Sequence, residues 1–369
     1  MHAERRFPGK PRVLVAPLDW GLGHATRCVP IIRELIHQGA EVVIAAEGAV
    51  AQLLNEEFPL VETIPLKGYR VSYAKTASLL PIKIAFQIPR LFSVIRREHR
   101  WLQQVIKNNH IDLVISDNRY GLYSGAVPCI FITHQLSIIA GNKTIEKLIR
   151  WFNYRCINRF TGCWIPDTEG PADLAGKLSH AVARPGIPLF YTGVLSRLTA
   201  TDNTVIPGHL FVSLSGPEPQ RSILEDKLID QLSHYRYSAT IVRGLPASGR
   251  VIPSTNSLQF FNHLPAGQLG AEMAKAEMVI ARSGYSTVMD LAMMGKQAIL
   301  IPTPGQTEQE YLAGYLMGKG FALQQDQDSF DLEAALVKAR GFYYNNRDVI
   351  AVERTNRLPE LVADLLGKS

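Results

Sequence analysis

A chain of 369 residues is long enough for two domains, each with a sizeable core. Hydrophobic residues make up 46% of it and charged residues 20%, a balance that excludes a disordered chain and fits a globular enzyme. The formal net charge of +6 points to anionic partners, whether phosphates, acidic lipid surfaces or nucleic acid.

The N-terminal stretch MHAERRFPGKPR is polar and basic, and no apolar h-region follows it, so no secretion signal is expected. No apolar run approaches the roughly 20 residues that a membrane-spanning helix needs. Cys28, Cys129, Cys156 and Cys163 show no C-x-x-C spacing, and Cys129 and Cys163 sit in strand-like runs. Buried free thiols in a reducing cytoplasm are the expectation.

Residues 12–18 (RVLVAPL) form a short apolar run closed by a glycine-containing turn. Residues 25–38 then carry helical periodicity through Cys28, Ile31, Ile32, Leu35 and Ile36, and Gly39 stops it. Strands are expected at 41–46, 60–64, 112–116 (DLVIS) and 129–133 (CIFIT). Such alternation implies a parallel sheet covered by helices. Residues 195–208 are polar and irregular and read as a linker. The alternation restarts with a strand at 209–214, a helix at 218–233, strands at 239–243 and 258–261, a helix at 266–275, a strand at 278–281, a helix at 285–294 and a strand at 298–301. A last helical stretch spans 347–366. The fold class is therefore α/β, with two domains at 1–194 and 195–346. The last helix is expected to pack back on the first, and the ligand site to lie where strand carboxyl ends face a cleft.

Chemistry concentrates in the turns after these strands. Gly21 and Gly23 permit a tight bend or a close backbone approach, but Thr26 breaks a G-x-G-x-x-G pattern and no P-loop lysine follows. His24 opens the next helix, where the dipole disfavours its protonated form. It reads as a general base or as a structural histidine satisfied within the turn. Asp117 ends a strand and reads as an orienting carboxylate for His24 or as a helix N-cap. His134 and Gln135 end the next strand and suit contacts to a sugar. Ser215 and Gly216 follow the first strand of the second domain, where a hydroxyl and backbone N–H groups suit a phosphate or an ordinary cap. The turn Arg282, Ser283, Gly284 opens the helix of Tyr285, Ser286 and Thr287, a second place suited to an anion. Asp290 on that helix reads as a ribose-binding carboxylate or a solvated charge, and Gln309 and Glu310 follow near the start of another helix. Arg197 and Arg243 are candidates to neutralise a diphosphate. Residues 75–107 interleave Leu80, Ile84, Phe86, Ile88 and Phe92 with Lys83, Arg90, Arg96, Arg97 and Arg100. That stretch, like 143–159 with Trp151 and Phe152, reads either as a surface for an anionic bilayer or as a core-packing helix with a basic outer face.

These residues resemble the GT-B-fold glycosyltransferases, in particular the bacterial lipid-intermediate N-acetylglucosaminyltransferases of peptidoglycan synthesis. The match is strongest at Arg282 to Asp290, Gly295, Gln309 and Glu310. It is looser at Gly21 to His24, Thr133 to Gln135, Thr192 to Arg197, Ser213 to Gly216 and Phe260 to Asn262. The resemblance implies two Rossmann-like domains facing a cleft, an acceptor-side one first and a donor-binding one second. It implies that the 282–287 turn, Ser215, Gly216 and Arg197 take the donor's phosphates, and that Phe261 lies where backbone reads uracil. Asp290 takes the ribose and Gln309 and Glu310 the donor sugar, while Gly21, Gly23, His134 and Gln135 face the acceptor. His24 is the implied base. The implied reaction is inverting transfer from a UDP-sugar substrate, with no cofactor and no metal. The acceptor is lipid-linked or a cell-envelope glycan, and the location cytoplasmic, on the inner membrane face if the basic stretch touches lipid. A nucleotide-sugar hydrolase or 2-epimerase, and a non-catalytic nucleotide-sugar-binding protein, are alternatives on the same fold. The sequence shows no nucleic-acid recognition motif, so nucleic acid is not expected as a partner.

Overall fold

The computed structural model describes residues 9–69, 80–199, 204–246, 248–345 and 356–368, with only the backbone at 80–90. The chain divides into two compact units, one of residues 1–171, 177–195 and 355–369, the other of 172–176 and 196–354.

The first unit is built on β1 (Arg12–Pro17), β2 (Glu41–Ala46), β3 (Glu62–Pro65), β4 (Leu113–Asp117), β5 (Cys129–Ile132), β6 (Gly162–Ile165) and β7 (Leu189–Tyr191). They form one sheet in the order β3-β2-β1-β4-β5-β6-β7. Every pairing is parallel. The central strands carry continuous apolar runs because helices cover both faces of such a sheet. The connecting helices are α1 (Leu22–His37), α2 (Gly48–Glu57), α3 (Leu80–Asn108) and α4 (Lys143–Ile157). The core gathers Leu14, Val43, Leu102, Val114, Phe131 and Ile157.

The second unit carries β8 (Leu210–Ser213), β9 (Ala239–Val242), β10 (Leu258–Phe261), β11 (Met278–Ala281), β12 (Ala298–Leu300) and β13 (Leu323–Gln324). Their order is β10-β9-β8-β11-β12-β13, again parallel throughout. Its helices are α5 (Gln220–Leu232), α6 (Ala266–Lys275), α7 (Tyr285–Met294), α8 (Thr307–Gly318) and α9 (Leu332–Gly341). The core is formed by Leu210, Val212, Leu228, Ile241, Ile280 and Ile299.

Both sheets reverse direction at their first strand, and there the turns of two neighbouring strands open side by side. In the first unit these strands are β1 and β4, with Pro17 level with Asp117. In the second they are β8 and β11, with Ser213 level with Ala281.

Sequence periodicity did not separate α2, β6, β7, β13 or α9 as elements, because each is short or continues an irregular stretch, and the helix expected to open near Gln309 is α8, which starts at Thr307. The predicted strand at 60–64 starts later, at Glu62. Within the last predicted helix, 347–366, α10 spans Leu358–Leu365, and residues 346–355 lie outside the described residues. α10 belongs to the first unit and lies against α1, with Gln38 Nε2 donating to the Pro359 carbonyl at 2.8 Å. Part of the basic stretch 75–107 also lies outside the described residues. Where side chains of α3 are described, Val94, Ile95 and Leu102 are buried and Arg96, Arg97 and Arg100 exposed, the pattern of a core-packing helix with a solvated basic face. All four cysteines are free and buried. Among the described residues no helix is long and apolar enough to cross a membrane.

Candidate functional site

In the first unit, β1 ends at Pro17 and the chain turns through Gly21, whose φ of 79° favours glycine, into α1. Gly23 lies inside the first turn of α1, where its carbonyl accepts from Thr26 Oγ1 at 3.0 Å, so only Gly21 makes the bend. A buried network holds this turn from behind. Arg119 donates to the Pro17 carbonyl at 3.1 Å, the Lys67 carbonyl at 2.6 Å and Glu98 Oε1 at 2.7 Å. Tyr69 donates its hydroxyl to Glu98 at 2.8 Å and its backbone N–H to Asp19 at 2.9 Å. Burial raises the Glu98 pKa despite the Arg119 guanidinium beside it.

The helix start places His24 Nδ1 3.0 Å from Asp117 Oδ2. Asp117 is fully buried, and both its oxygens are gripped by Arg27, through Nε at 2.9 Å and through Nη2. It caps no helix: Asn118 follows it with φ of 55°. Arg27 also reaches His134 Nδ1 through Nη1 at 3.0 Å, and its Nη2 lies 2.6 Å from His24 Nδ1. Burial lowers the His24 pKa, Arg27 lowers it further, and Asp117 opposes both. Burial works against the Asp117 carboxylate, but Arg27 and His24 outweigh it and hold the pKa below the usual range. The tautomer of His24 with its proton on Nδ1 donates to Asp117 and leaves the Nε2 lone pair for a substrate proton. Gln135 is half-buried, with its N–H on Thr133 Oγ1 at 3.0 Å. Sequence reasoning missed Arg27, although its spacing of three from His24 on one helix is the signal that would have found it.

In the second unit, the turn after β8 runs through Ser215 and Gly216, the latter at φ of 103°. This turn passes so close to Gly244 that a Cβ there would lie 2.3 Å from the Leu214 carbonyl oxygen, so glycine is required at 244. After β11, the Arg282 side chain turns inward rather than toward a ligand. It donates to the carbonyls of Ile301 at 3.3 Å, Pro302 at 3.1 Å and Gln220 at 2.7 Å, and to Gln327 Oε1 at 2.5 Å. Burial pulls its pKa down to about 10, so the guanidinium remains a cation beneath the turn, bonded to neutral oxygens. The first intrahelical bond of α7 runs from Val288 to the Gly284 carbonyl at 3.0 Å, so the N–H groups of Tyr285, Ser286 and Thr287 precede the helix ladder. Gly295 ends the helix in the left-handed conformation.

Asp290 is half-buried and accepts from the Ser196 hydroxyl at 2.5 Å. Burial pushes its pKa up to about 6, against the pull of Ser196 and of buried Arg197. The remaining candidates are engaged within the protein. Ser283 donates to the Gln309 carbonyl at 2.8 Å. The Gln309 side chain accepts from the Thr303 N–H at 2.9 Å and donates to Gln306 at 2.6 Å, and Glu310 accepts from the Gly305 N–H at 2.8 Å. These two side chains brace the 302–306 turn instead of standing open to a sugar. The Phe261 carbonyl accepts from the Arg243 N–H at 2.8 Å. Arg243 is not placed for a diphosphate: its side chain pairs with Glu225 at 2.6 Å and bonds Asn262 at 2.7 Å. One D-x-D triplet, Asp326 to Asp328, follows β13; its carboxylates are exposed and its central Gln327 turns inward onto Arg282.

Comparison with known proteins agrees with this architecture. Residues 258–347 match the glycosyltransferase family 28 C-terminal domain. An uncharacterized glycosyltransferase of Methanosarcina acetivorans is 24% identical over 84% of each chain. The UDP-N-acetylglucosamine--N-acetylmuramyl-(pentapeptide) pyrophosphoryl-undecaprenol N-acetylglucosamine transferase of Methylobacterium nodulans is 40% identical over 23% of this chain and 22% of its own. The crystal structure of the glycosyltransferase SnogD from Streptomyces nogalater superposes with a TM-score of 0.65 over 97% of this chain and 99% of that one, at 16% identity. The chain is a glycosyltransferase with the GT-B fold, whose second unit is similar over residues 258–347 to the family 28 C-terminal domain.

Proposed function

We propose that the protein moves a hexosyl or N-acetylhexosaminyl group from a UDP-sugar to a hydroxyl of a lipid-linked or cell-envelope glycan, inverting the anomeric carbon without a metal ion. One observation carries this reading. The family 28 domain contains both the anion-suited turn that opens α7 and a half-buried carboxylate, Asp290, on the same helix. The Methylobacterium relative is named for transfer from UDP-N-acetylglucosamine, which supports the choice of donor.

In this mechanism His24 Nε2 takes the acceptor hydroxyl proton as that oxygen attacks the anomeric carbon. The bond from that carbon to the diphosphate oxygen breaks, and UDP leaves with the electron pair. Its charge is offset by the α7 N-terminus and by the cations Arg282 and Arg197, which need no reorganisation as the charge develops. Asp290 accepts from the ribose as a carboxylate. α4 supports a membrane-facing acceptor. Ile145, Leu148 and Trp151 are exposed along one stripe of it, with Lys143, Lys147 and Arg155 exposed around them and Arg155 5.8 Å from the Trp151 ring.

A thermal-shift series with UDP, UDP-sugars and other nucleotides tests the donor. A UDP-sugar at 100 times its dissociation constant should stabilise the protein by about 2.7 kcal/mol, and no response to any nucleoside diphosphate would overturn the assignment. His24→Ala should cut turnover by about 10²–10⁴ while leaving donor binding in place; unchanged turnover would remove it as the base. The carboxylate itself is visible in pH-dependent stability. With a folded pKa of about 6 against 3.8 for the free side chain, the folded chain binds the extra proton between those values. Stability therefore falls as pH rises through that window. Asp290→Asn should melt about 2–4 °C above the parent at pH 7.5 and level with it near pH 4, whereas a lower melting point at pH 7.5 would make Asp290 a stabilising group. Replacing Leu148 and Trp151 by Glu should abolish co-sedimentation with anionic vesicles, and binding that survives both changes would rule out α4 as the contact.

A further inference from the structure

At the strand reversal of the first sheet Arg27 bonds Asp117, His24 and His134. It is 2% exposed and grips both oxygens of Asp117. Its Nη1 lies 3.0 Å from His134 Nδ1 and its Nη2 2.6 Å from His24 Nδ1. A guanidinium has donors only, so His134 Nδ1 must be bare and its proton must sit on Nε2. His24 is different, because its Nδ1 also lies 3.0 Å from the Asp117 carboxylate, which only accepts. One nitrogen cannot donate to Asp117 and accept from Arg27 at once. The neutral ring therefore has two settings. With the proton on Nδ1, Asp117 is satisfied and Nε2 is basic. With the proton on Nε2, Arg27 is satisfied and the ring is a donor.

We propose that Arg27 is a positioning residue that decides which nitrogen of each imidazole carries the proton, fixing His134 as a hydrogen-bond donor through Nε2 and drawing His24 between a basic and a non-basic setting. This rests on the reading of His24 as the base. The groups that face His24 are Arg27 on its own helix, Asp117 at the end of β4 and His134 after β5. The Cys28 thiol, 3.9 Å from Asp117, is pushed well up by burial and stays protonated. The cation opposes imidazolium formation, so His24 remains neutral below the ordinary imidazole range, as burial also favours. The acid limb of turnover should then lie below the ordinary imidazole value of 6.5.

Long-range proton–nitrogen spectra of the full chain labelled with ¹⁵N-histidine read the tautomers directly, with assignments from His24→Ala and His134→Ala. The parent should show His134 protonated at Nε2 alone and His24 with averaged nitrogens. In Arg27→Gln, His24 should settle on Nδ1 and its titration midpoint, with the acid limb of turnover, should rise by about one pH unit. Arg27→Lys should keep the low midpoint, since it keeps the charge, but lose the fixed His134 tautomer, since one ammonium lacks the fork that spans three partners. A parent His24 protonated purely at Nδ1 would overturn the proposal, and so would a midpoint that does not move in Arg27→Gln. If that variant fails to fold, the parent spectrum and Arg27→Lys decide. Full turnover in His24→Ala would sink the base reading alone, leaving these spectra to judge Arg27.

Discussion

Both units of this chain are arranged by one constraint on doubly wound parallel sheets: where the order of strands reverses, neighbouring connections leave on opposite faces. The gap between them is the only part of the carboxyl edge where two turns stand open together. In the first unit α1 delivers His24 and Arg27 to the gap from one side and β4 delivers Asp117 from the other. The second unit uses its own gap for backbone, with the turns after β8 and β11 adjacent and α7 opening between them. The same topology thus presents two different sets of groups, because what differs is the side chains that the turns carry.

Buried cations shape both places. Arg27, Arg119, Arg243 and Arg282 are each almost entirely removed from solvent. Three of them meet a carboxylate: Arg27 on Asp117, Arg119 on Glu98 and Arg243 on Glu225. Such pairs hold geometry more than they add stability, since desolvation offsets much of the attraction. Arg282 differs in bonding only neutral oxygens, so its charge is left uncompensated directly under the turn that opens α7. An anion arriving at that turn meets both the helix dipole and this cation.

Much of the fold was legible in the residues. Helices α6 and α7 and strands β2, β10 and β11 fall where periodicity and apolar runs place them, because their boundaries are marked by Gly, Pro or charge. α8 is legible only at its start and α9 not at all, since their apolar positions do not form a single clear stripe. The site was legible as positions and much less as roles. His24 and Asp117 could be named from strand ends, but the guanidinium linking them comes from three residues further along a helix, and only the fold shows that it turns inward. Arg282 and Arg243 illustrate the reverse case. A sequence shows that a cation is present at a turn and says nothing of whether it faces a ligand or a neighbouring carbonyl. The bracing of the 302–306 turn by Gln309 and Glu310 is of the same kind, because the partners are backbone N–H groups that no motif records.

The hydroxyl of Ser196 already occupies one oxygen of Asp290. Torsional freedom of that side chain is therefore surrendered when the polypeptide folds. Any donor that reaches this oxygen has to share it with the Ser196 hydroxyl or displace that hydroxyl, so a contact made there is an exchange more than a gain.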